Sequence, residues 1–262
     1  MRKLFRFLLG LAACGVLLFS AVHLVAYIRE SSASSSLNES LAKEAVVVKE
    51  PVGQSSNPEF TLEQETNVEP IPTETAPIEV DFDVLLETNA DMVGWIYCED
   101  TPINFPLVQG KDNDYYLRRI IDRTWNSSGT LFVDYRNADD FSDGNTIVYG
   151  HNMKDKGMFG TLPNYKEQSY FDEHPVMWLL TPEASYKVEL IAGYVTTATS
   201  GIYSFGQTEE DILALVGQSI GQSTFISDFE LSQGDRFLTL STCSYEYDNA
   251  RYVLIGRLLL LN

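Results

Sequence analysis

The segments RFLTLSTC (236–243) and RYVLIGRLLLL (251–261) decide the fold class of this 262-residue chain. Both are rich in aliphatic, aromatic and β-branched residues and are separated by a polar turn, which is typical of paired β-strands. Six similar runs precede them: GWIYC (94–98), INFPLV (103–108), GTLFVDY (129–135), NTIVYG (145–150), VMWLL (176–180) and YKVELIAGYVTT (186–197). Many short strands separated by turn residues favour a β-barrel or a β-sandwich.

Four helices are predicted around these strands. Asp81 can cap a helix whose apolar face includes Leu85 and which ends near Asn89. Further helices are predicted at residues 112–121, 158–166 and 208–220. The last of these begins with a cap-like Thr208, has three acidic residues in its first turn, and carries one apolar face. The sequence therefore predicts a mainly β domain decorated by helices.

Composition and charge exclude several classes of protein. The chain is 44% hydrophobic and 12% aromatic, which rules out disorder along its whole length. Its 18 Lys and Arg face 37 Asp and Glu, and a net charge of -19 makes it a poor general binder of nucleic acid. Three cysteines cannot form a disulfide framework, and the sequence contains neither C-x-x-C nor H-E-x-x-H, so the strong zinc motifs are absent.

The charge divides the chain into three blocks. Residues 1–28 sum to +3, residues 29–80 to -7 and residues 81–262 to -15. The first block contains an uncharged apolar run from Phe7 to Ile28, which would span roughly 33 Å as a helix. Basic residues precede this run, which places the N-terminus in the cytoplasm and the rest of the chain outside. We therefore expect a single-pass signal-anchor in the cell membrane; the alternative is a signal peptide cleaved at a weak site, Ser31-Ser32-Ala33.

The second and third blocks are predicted to be a linker and a folded domain. Residues 29–80 are acidic and rich in Ser, Thr, Pro and Glu, with few large apolar residues, so we expect a disordered spacer. A short helix near residues 37–48 is an alternative for part of it. Residues 81–262 are long enough to bury one sound core.

Three residues of the domain are candidates for chemistry. Cys243 ends an apolar strand beside a polar turn, where functional side chains are often displayed, and Arg251 begins the next strand. His151 follows the strand NTIVYG. The alternatives without a catalytic role are that His151 is structural and that Arg251 is a surface cation. Of the other cysteines, Cys14 lies in the apolar run and Cys98 is interpreted as a core residue.

A cysteine, a histidine and an arginine in one cleft suit acyl transfer. A thiol nucleophile needs a lowered pKa or a neighbouring base, and a histidine can also protonate a leaving amine. A fixed guanidinium can donate hydrogen bonds to the oxyanion of a tetrahedral intermediate.

Here the sequence resembles the sortase family. The resemblance rests on TLSTC (239–243), on Arg251 in ARYVLIGRL, and on YGHNM (149–153). Four further segments resemble class B sortases: NADMVGWI (89–96), TPINFPLVQGKDNDYYL (101–117), SGTLFVDYRN (128–137) and TEEDILALVGQSIG (208–221). The resemblance covers essentially all of residues 81–262.

The resemblance implies a β-barrel of about eight strands with N-terminal helices and an added helix before the cysteine strand. It implies a cysteine transpeptidase at a Gram-positive cell surface, with its catalytic domain extracellular. Cys243 would attack the carbonyl after Thr in the C-terminal sorting motif of a surface protein, His151 would be the general acid and base, and Arg251 would stabilise the oxyanion. A primary amine of a peptidoglycan precursor would release the thioacyl enzyme. No cofactor or metal is implied.

The resemblance also implies a peptide-binding groove. Its residues would be Asn113, Leu117, Thr199, Tyr203 and Ser241. One departure is a pair of acids, Glu246 and Asp248, in the turn after the cysteine, because carboxylates beside the cleft would oppose thiolate formation unless they point to water.

Three other functions stay open at this point. The same triad could serve a membrane-tethered cysteine peptidase with water as acceptor, or a sortase that polymerises pilins. A barrel domain without enzymatic activity is the third, which an intact Cys243, His151 and Arg251 argue against.

Overall fold

The computed structural model describes residues 2–49 and 74–261 of the chain. Ten strands and four α-helices occur in these ranges. The helices are α1 (Arg2–Ala45), α2 (Phe82–Thr88), α3 (Gln168–Glu173) and α4 (Glu209–Gly221). The strands are β1 (Val46–Val48), β2 (Ile78–Val80), β3 (Met92–Tyr97), β4 (Asn104–Gln109), β5 (Leu131–Val133), β6 (Asn145–Tyr149), β7 (Val176–Leu180), β8 (Ser185–Thr197), β9 (Phe237–Cys243) and β10 (Ala250–Leu260).

Strands β3 to β10 form a closed barrel in the order β10-β8-β7-β3-β4-β5-β6-β9. Most neighbours are antiparallel, but β4 with β5 and β6 with β9 are parallel. Closure leaves no free sheet edge in the barrel. The eight predicted runs are these eight strands, so the prediction of a mainly β barrel is confirmed.

The two C-terminal strands divide their side chains between the barrel interior and its outer face. Leu238, Leu240 and Leu254 pack into the interior core. Phe237 and Val253 lie on the opposite face and pack in a second apolar cluster that includes Val216 of α4. Because side chains alternate along a strand, Cys243 shares the outer face with Phe237. The nucleophile candidate therefore lies outside the barrel.

Two helix predictions are confirmed together with their caps. The Asp81 carboxylate accepts hydrogen bonds from Asp83 N and Val84 N at the start of α2. Thr208 and Asp211 form a capping box at the start of α4, in which each side chain binds the backbone N–H of the other residue. Such caps satisfy donors that the first helical turn leaves free.

The helix predicted at residues 112–121 is reduced to a single 3-10 turn, Tyr116–Arg118. The reason is that the backbone carbonyls of this turn are used elsewhere. Tyr116 O accepts from Thr130 N at 3.0 Å, and Arg118 O accepts from Asn126 N at 2.9 Å. These long-range bonds replace the bonds to residues four positions on that an α-helix requires.

The helix predicted at residues 158–166 is also only a 3-10 turn, Leu162–Lys166, and the α-helix α3 comes after it. Met158 has a positive φ of 51° and forms an isolated β-bridge with Asn152. A residue in the left-handed region interrupts a right-handed helix, so the segment turns before it can continue.

The structure differs from the predicted disordered linker at both of its ends. Helix α1 continues without a break to Ala45, and β1 pairs with β2. Ser34, Asn38 and Leu41 are buried at helical spacing, so one face of α1 packs on the domain. Residues 50–73 of the predicted linker lie outside the described residues.

The N-terminal part of α1 has the properties of a membrane span by length and composition. Its most apolar window of 18 residues has a mean hydropathy of 2.3 and is not buried against the protein. An apolar helix that the fold does not cover needs another apolar environment.

Candidate active site

Cys243 and Arg251 lie directly opposite each other where β9 ends and β10 begins. The register of this antiparallel pair aligns Arg251 with Cys243. Directly opposite residues project to the same face, with Cβ atoms about 4.5 to 5.5 Å apart. Both side chains are partly exposed. The short connection SYEYDNA thus brings thiol and guanidinium together on the outer face of the barrel.

His151 is fixed beside the same strand end by backbone contacts on both sides of it. Strand β6 runs parallel to β9, with Tyr149 aligned with Ser241. Gly150 N donates to Ser241 O at 3.1 Å, and the Asn152 side-chain amide donates to Cys243 O at 2.8 Å. Residues on each side of His151 are therefore attached to the residues around the nucleophile candidate.

The imidazole of His151 is oriented by a backbone carbonyl. Its Nε2 lies 2.8 Å from Leu117 O. A carbonyl oxygen can only accept, so Nε2 must carry a proton. In the neutral ring this leaves Nδ1 unprotonated and free to accept a proton. Leu117 therefore contributes to the site through its main chain as well as its side chain.

The pKa of His151 is lowered from its usual value. Burial is the largest cause, and the positive charge of Arg118 acts in the same direction, whereas the hydrogen bond to Leu117 O opposes both. The neutral imidazole is therefore the prevailing form of this side chain near neutral pH.

One cleft of about 770 Å³ contains all of the residues predicted for the site. They are Cys243, His151, Arg251, Asn113, Leu117, Thr199, Tyr203 and Ser241. A volume of this size falls within the range that holds a drug-sized ligand or several residues of a peptide.

The floor of the cleft contains two tyrosines. Tyr203 Oη and Ser241 Oγ are 2.8 Å apart, and the rings of Tyr203 and Tyr149 stack with centroids 6.2 Å apart. Burial raises the pKa of Tyr203 to about 12, so its hydroxyl stays protonated and can hydrogen-bond Ser241. The stacked rings give the cleft an aromatic floor.

Asn113 lines the cleft but already uses both ends of its amide. Its Nδ2 donates to the buried carboxylate of Asp134 at 2.9 Å, and its Oδ1 accepts from Tyr135 N at 3.1 Å. Asp134 also binds Arg136 through both carboxylate oxygens. Burial raises the pKa of Asp134, but the hydrogen bonds from Arg136, Asn113 and Tyr149 outweigh it and the net shift is downward. Asn113 thus belongs to a network that fixes the cleft wall.

Comparison with known proteins adds to this geometry. No family model matches the chain. Sortase B of Listeria monocytogenes is 42% identical over 181 residues, covering 66% of this chain and 72% of the relative, and sortase B of Staphylococcus aureus is 31% identical, covering 68% and 74%. This chain is a member of the sortase B family. The solved Staphylococcus aureus sortase B–substrate complex is similar with a TM-score of 0.65 and 30% identity, covering 69% of this chain and 85% of that one.

Family membership makes this sortase B a cysteine transpeptidase. The closed barrel and the position of α4 before the cysteine strand agree with membership of this family. The acids of the turn after Cys243 do not line its cleft: Glu246 binds Lys166 and Ser244, while Asp248 is exposed. The Lys166 ammonium, followed by Ser244, lowers the pKa of Glu246 to about 2.

Several contributions to the cleft were not predicted as site residues, among them two side chains and one main-chain oxygen. Arg136 and Tyr149 lie in segments that resemble the family, SGTLFVDYRN and YGHNM, which is the signal that could have identified them. The main-chain oxygen of Leu117 leaves no signal in a sequence. Cys98, in contrast, is fully buried in the interior core, as predicted.

Proposed function

We propose that this sortase B is a membrane-anchored transpeptidase that cleaves a sorting motif after Thr and joins the acyl group to a cell-wall precursor amine. The observation that carries the proposal is the meeting of Cys243, Arg251 and His151 in one peptide-sized cleft. The roles of the individual residues follow from the chemistry that each can perform there.

In the acylation step, Cys243 Sγ attacks the carbonyl carbon of the Thr residue. Nδ1 of the neutral His151 accepts the thiol proton, and Nε2–H keeps its bond to Leu117 O. The carbonyl electron pair moves onto oxygen to form an oxyanion. As the tetrahedral intermediate collapses, the C–N bond breaks and Nδ1 returns the proton to the leaving amine. The product is a thioester on Cys243.

Arg251 supplies hydrogen bonds to the oxyanion. Its Nη1 donates to Ala250 O at 3.0 Å, which fixes one edge of the guanidinium. The planar group has five N–H donors, so the other edge can point toward the substrate oxygen. A guanidinium fixed before the reaction needs little reorganisation when negative charge develops.

In the second step, a primary amine attacks the thioester carbonyl. His151 Nδ1 accepts the amine proton, the C–S bond breaks, and the thiolate takes the proton back to regenerate Cys243. Water in place of the amine would give hydrolysis, as in a cysteine peptidase. The acceptor is therefore the feature that separates the two functions.

The membrane anchor is the apolar part of α1. Its length, its lack of charge and the basic residues before it support a single-pass span with a cytoplasmic N-terminus and an extracellular domain. Such an anchor would keep the enzyme on the surface where a membrane-bound precursor and its protein substrates meet.

The test uses the full chain in detergent, a peptide library with Thr fixed and the flanking residues varied, and triglycine as amine. For the best substrate, we expect triglycine to divert the product from free acid to ligated peptide as its concentration rises. Hydrolysis product unchanged at saturating triglycine would contradict transpeptidation. Cys243→Ala is the control and should form neither product.

A further inference from the structure

The loops that contact α1 immediately beyond its apolar run form a distinctive surface. Glu30 follows Ile28 by two residues, about 3 Å along a helix axis. Glu30 O accepts a hydrogen bond from the Asn126 side chain at 2.8 Å, and its carboxylate accepts from Ser127 N at 3.3 Å. One residue on, Ser31 donates to the carboxylate of Asp155. We call the two loops, residues 118–127 and 153–158, the helix-proximal surface.

This surface lies at headgroup depth if α1 spans a membrane. The polar layer on each side of a bilayer is several Å thick, about half of the difference between a 30 Å hydrocarbon core and a total of about 40 to 45 Å. Contacts made within one turn after the apolar run fall inside that layer. The residues of both loops that bind Glu30 and Ser31 would then lie at the level of the lipid headgroups.

An exposed tryptophan occupies this position. Trp125 precedes Asn126, the residue that binds Glu30, and its side chain is 61% exposed. Its backbone is fixed by a β-bridge with Arg119. Trp95, in contrast, is fully buried. Tryptophan is enriched at membrane interfaces because its ring is apolar and its N–H needs a polar partner.

The charge of the helix-proximal surface is opposite to that of the domain. It contains five bases and two acids, although residues 81–262 together carry a net charge of -15. Arg123 is paired with Asp91 at 3.2 Å, whereas Arg118, Lys154 and Lys156 are exposed and have no ion-pair partner within residues 2–49 and 74–261. Unpaired cations near a bilayer are attracted to anionic lipids.

We propose that the helix-proximal surface rests in the anionic headgroup layer of the membrane that α1 spans, with Trp125 inserted at the interface. The proposal rests on the anchoring role given to α1 above. Leu117 and Arg118 at one end of the first loop, and His151 just before the second, line the cleft. The surface would therefore hold the cleft beside the membrane, within reach of an amine on a lipid-linked precursor.

The experiment reconstitutes the full chain into vesicles of phosphatidylglycerol and phosphatidylcholine that contain lipids brominated near the headgroup end of their acyl chains. We expect bromine to quench part of the tryptophan fluorescence, and Trp125→Phe to remove that quenched part. The control adds Ile226→Trp to Trp125→Phe. Ile226 is 83% exposed, donates its N–H to Gln168 and lies outside the helix-proximal surface. A tryptophan introduced at this position should therefore not be quenched.

The possible outcomes distinguish a failure of the proposed surface contact from a failure of the proposed membrane anchor. If the protein floats with the vesicles but native protein and Trp125→Phe are quenched equally, the proposed membrane contact of the helix-proximal surface is wrong. The proposal that α1 is a membrane anchor would be unaffected. Failure to float would overturn both. Equal quenching in pure phosphatidylcholine would overturn the preference for anionic lipid.

A functional arm uses Trp125→Ser. We expect transfer to triglycine in solution to be unchanged and transfer to a lipid-linked amine in the same vesicle to fall several-fold. An equal effect on both amines would contradict the proposed position of the cleft.

Discussion

At the scale of the residue, the proposed mechanism depends on the protonation of His151. Because burial and Arg118 lower the pKa of His151, the neutral base persists at pH values where an ordinary histidine is already half protonated. The acid limb of kcat/KM for peptide cleavage should therefore lie below pH 6.5.

Arg118→Gln tests the cause of this shift. Removing the cation raises the pKa of His151, so the acid limb should move to higher pH. Arg119→Gln is the matched control, because Arg119 lies over the Tyr115 ring and does not contribute to the His151 shift. An acid limb that stays at the same pH in Arg118→Gln would contradict the assignment.

Substitution of Arg251 should lower kcat strongly and change the melting temperature little. Arg251→Lys keeps the charge but loses the planar donor edge, and loss of an oxyanion donor costs about 2.7 to 4 kcal/mol, or roughly 10²- to 10³-fold in kcat. Arg257→Lys on the same strand is the control. Arg257 pairs with Glu189 at 2.6 Å, so this change should affect the melting temperature more than the rate. Similar rates for the two variants would remove Arg251 from the mechanism.

The side chains of the site were accessible to sequence reasoning, but its main-chain partner was not. TLSTC, YGHNM and the following Arg251 point to the three proposed reactive groups by residue type and order, and the structure places all three in one cleft. That His151 depends on Leu117 O could not be predicted, because it requires the backbone of residues 116–118 to leave the helical path.

At the scale of the element, Gly129 holds that backbone in place. It has a φ of 61°, and a Cβ there would lie 2.7 Å from Tyr116 O and 2.8 Å from Leu117 O. Gly129→Ala should therefore destabilise the fold by more than the roughly 1 to 2 kcal/mol of left-handed strain alone. It should also lower kcat/KM, because it displaces the carbonyl that orients His151.

The control Gly234→Ala distinguishes the effect of left-handed backbone strain from the effect of displacing the Leu117 carbonyl. Gly234 also has a positive φ, 84°, but a Cβ there would meet nothing within 4 Å. Urea unfolding should show a loss for both variants, larger for Gly129→Ala, and only Gly129→Ala should be slower in peptide cleavage. Equal losses of stability with unchanged rates would show that the Leu117 carbonyl had not moved.

The elements differ in how well the sequence predicts them. Strands of the barrel follow from local runs of β-forming residues, and α2 and α4 from their caps. The helix predicted at residues 112–121 failed because hydrogen bonds to residues 126 and 130 outweigh local propensity, and such bonds are set by tertiary structure.

At the scale of the whole molecule, α1 connects the apolar run proposed as the membrane anchor to the domain without a break in the helix. Its Ser-rich residues 31–36 read as a spacer, yet tertiary packing of one face stabilises the helix there. Side-chain packing thus determines how the apolar part of α1 is oriented relative to the domain.

The substitution Leu41→Ala tests whether side-chain packing holds α1 against the domain. Leu41 is 4% exposed and packs in a cluster with Ile78, Leu85 and Trp95. Leu41→Ala should cost about 2 to 5 kcal/mol of unfolding free energy in detergent and increase amide exchange in residues 29–45. Val47→Ala, at a side chain that is 63% exposed, should stay within about 0.5 kcal/mol. Unchanged exchange in Leu41→Ala would mean that the helix is not held by this contact.

The central claim is that Cys243 forms a covalent acyl enzyme, and intact-protein mass spectrometry tests it most directly. After brief incubation with the best library peptide, the account predicts a mass increase equal to the fragment ending in Thr. The adduct should map to Cys243, disappear when triglycine is added, and be absent from Cys243→Ala although that variant melts at nearly the same temperature. Peptide cleavage by Cys243→Ala at the native rate would contradict the account.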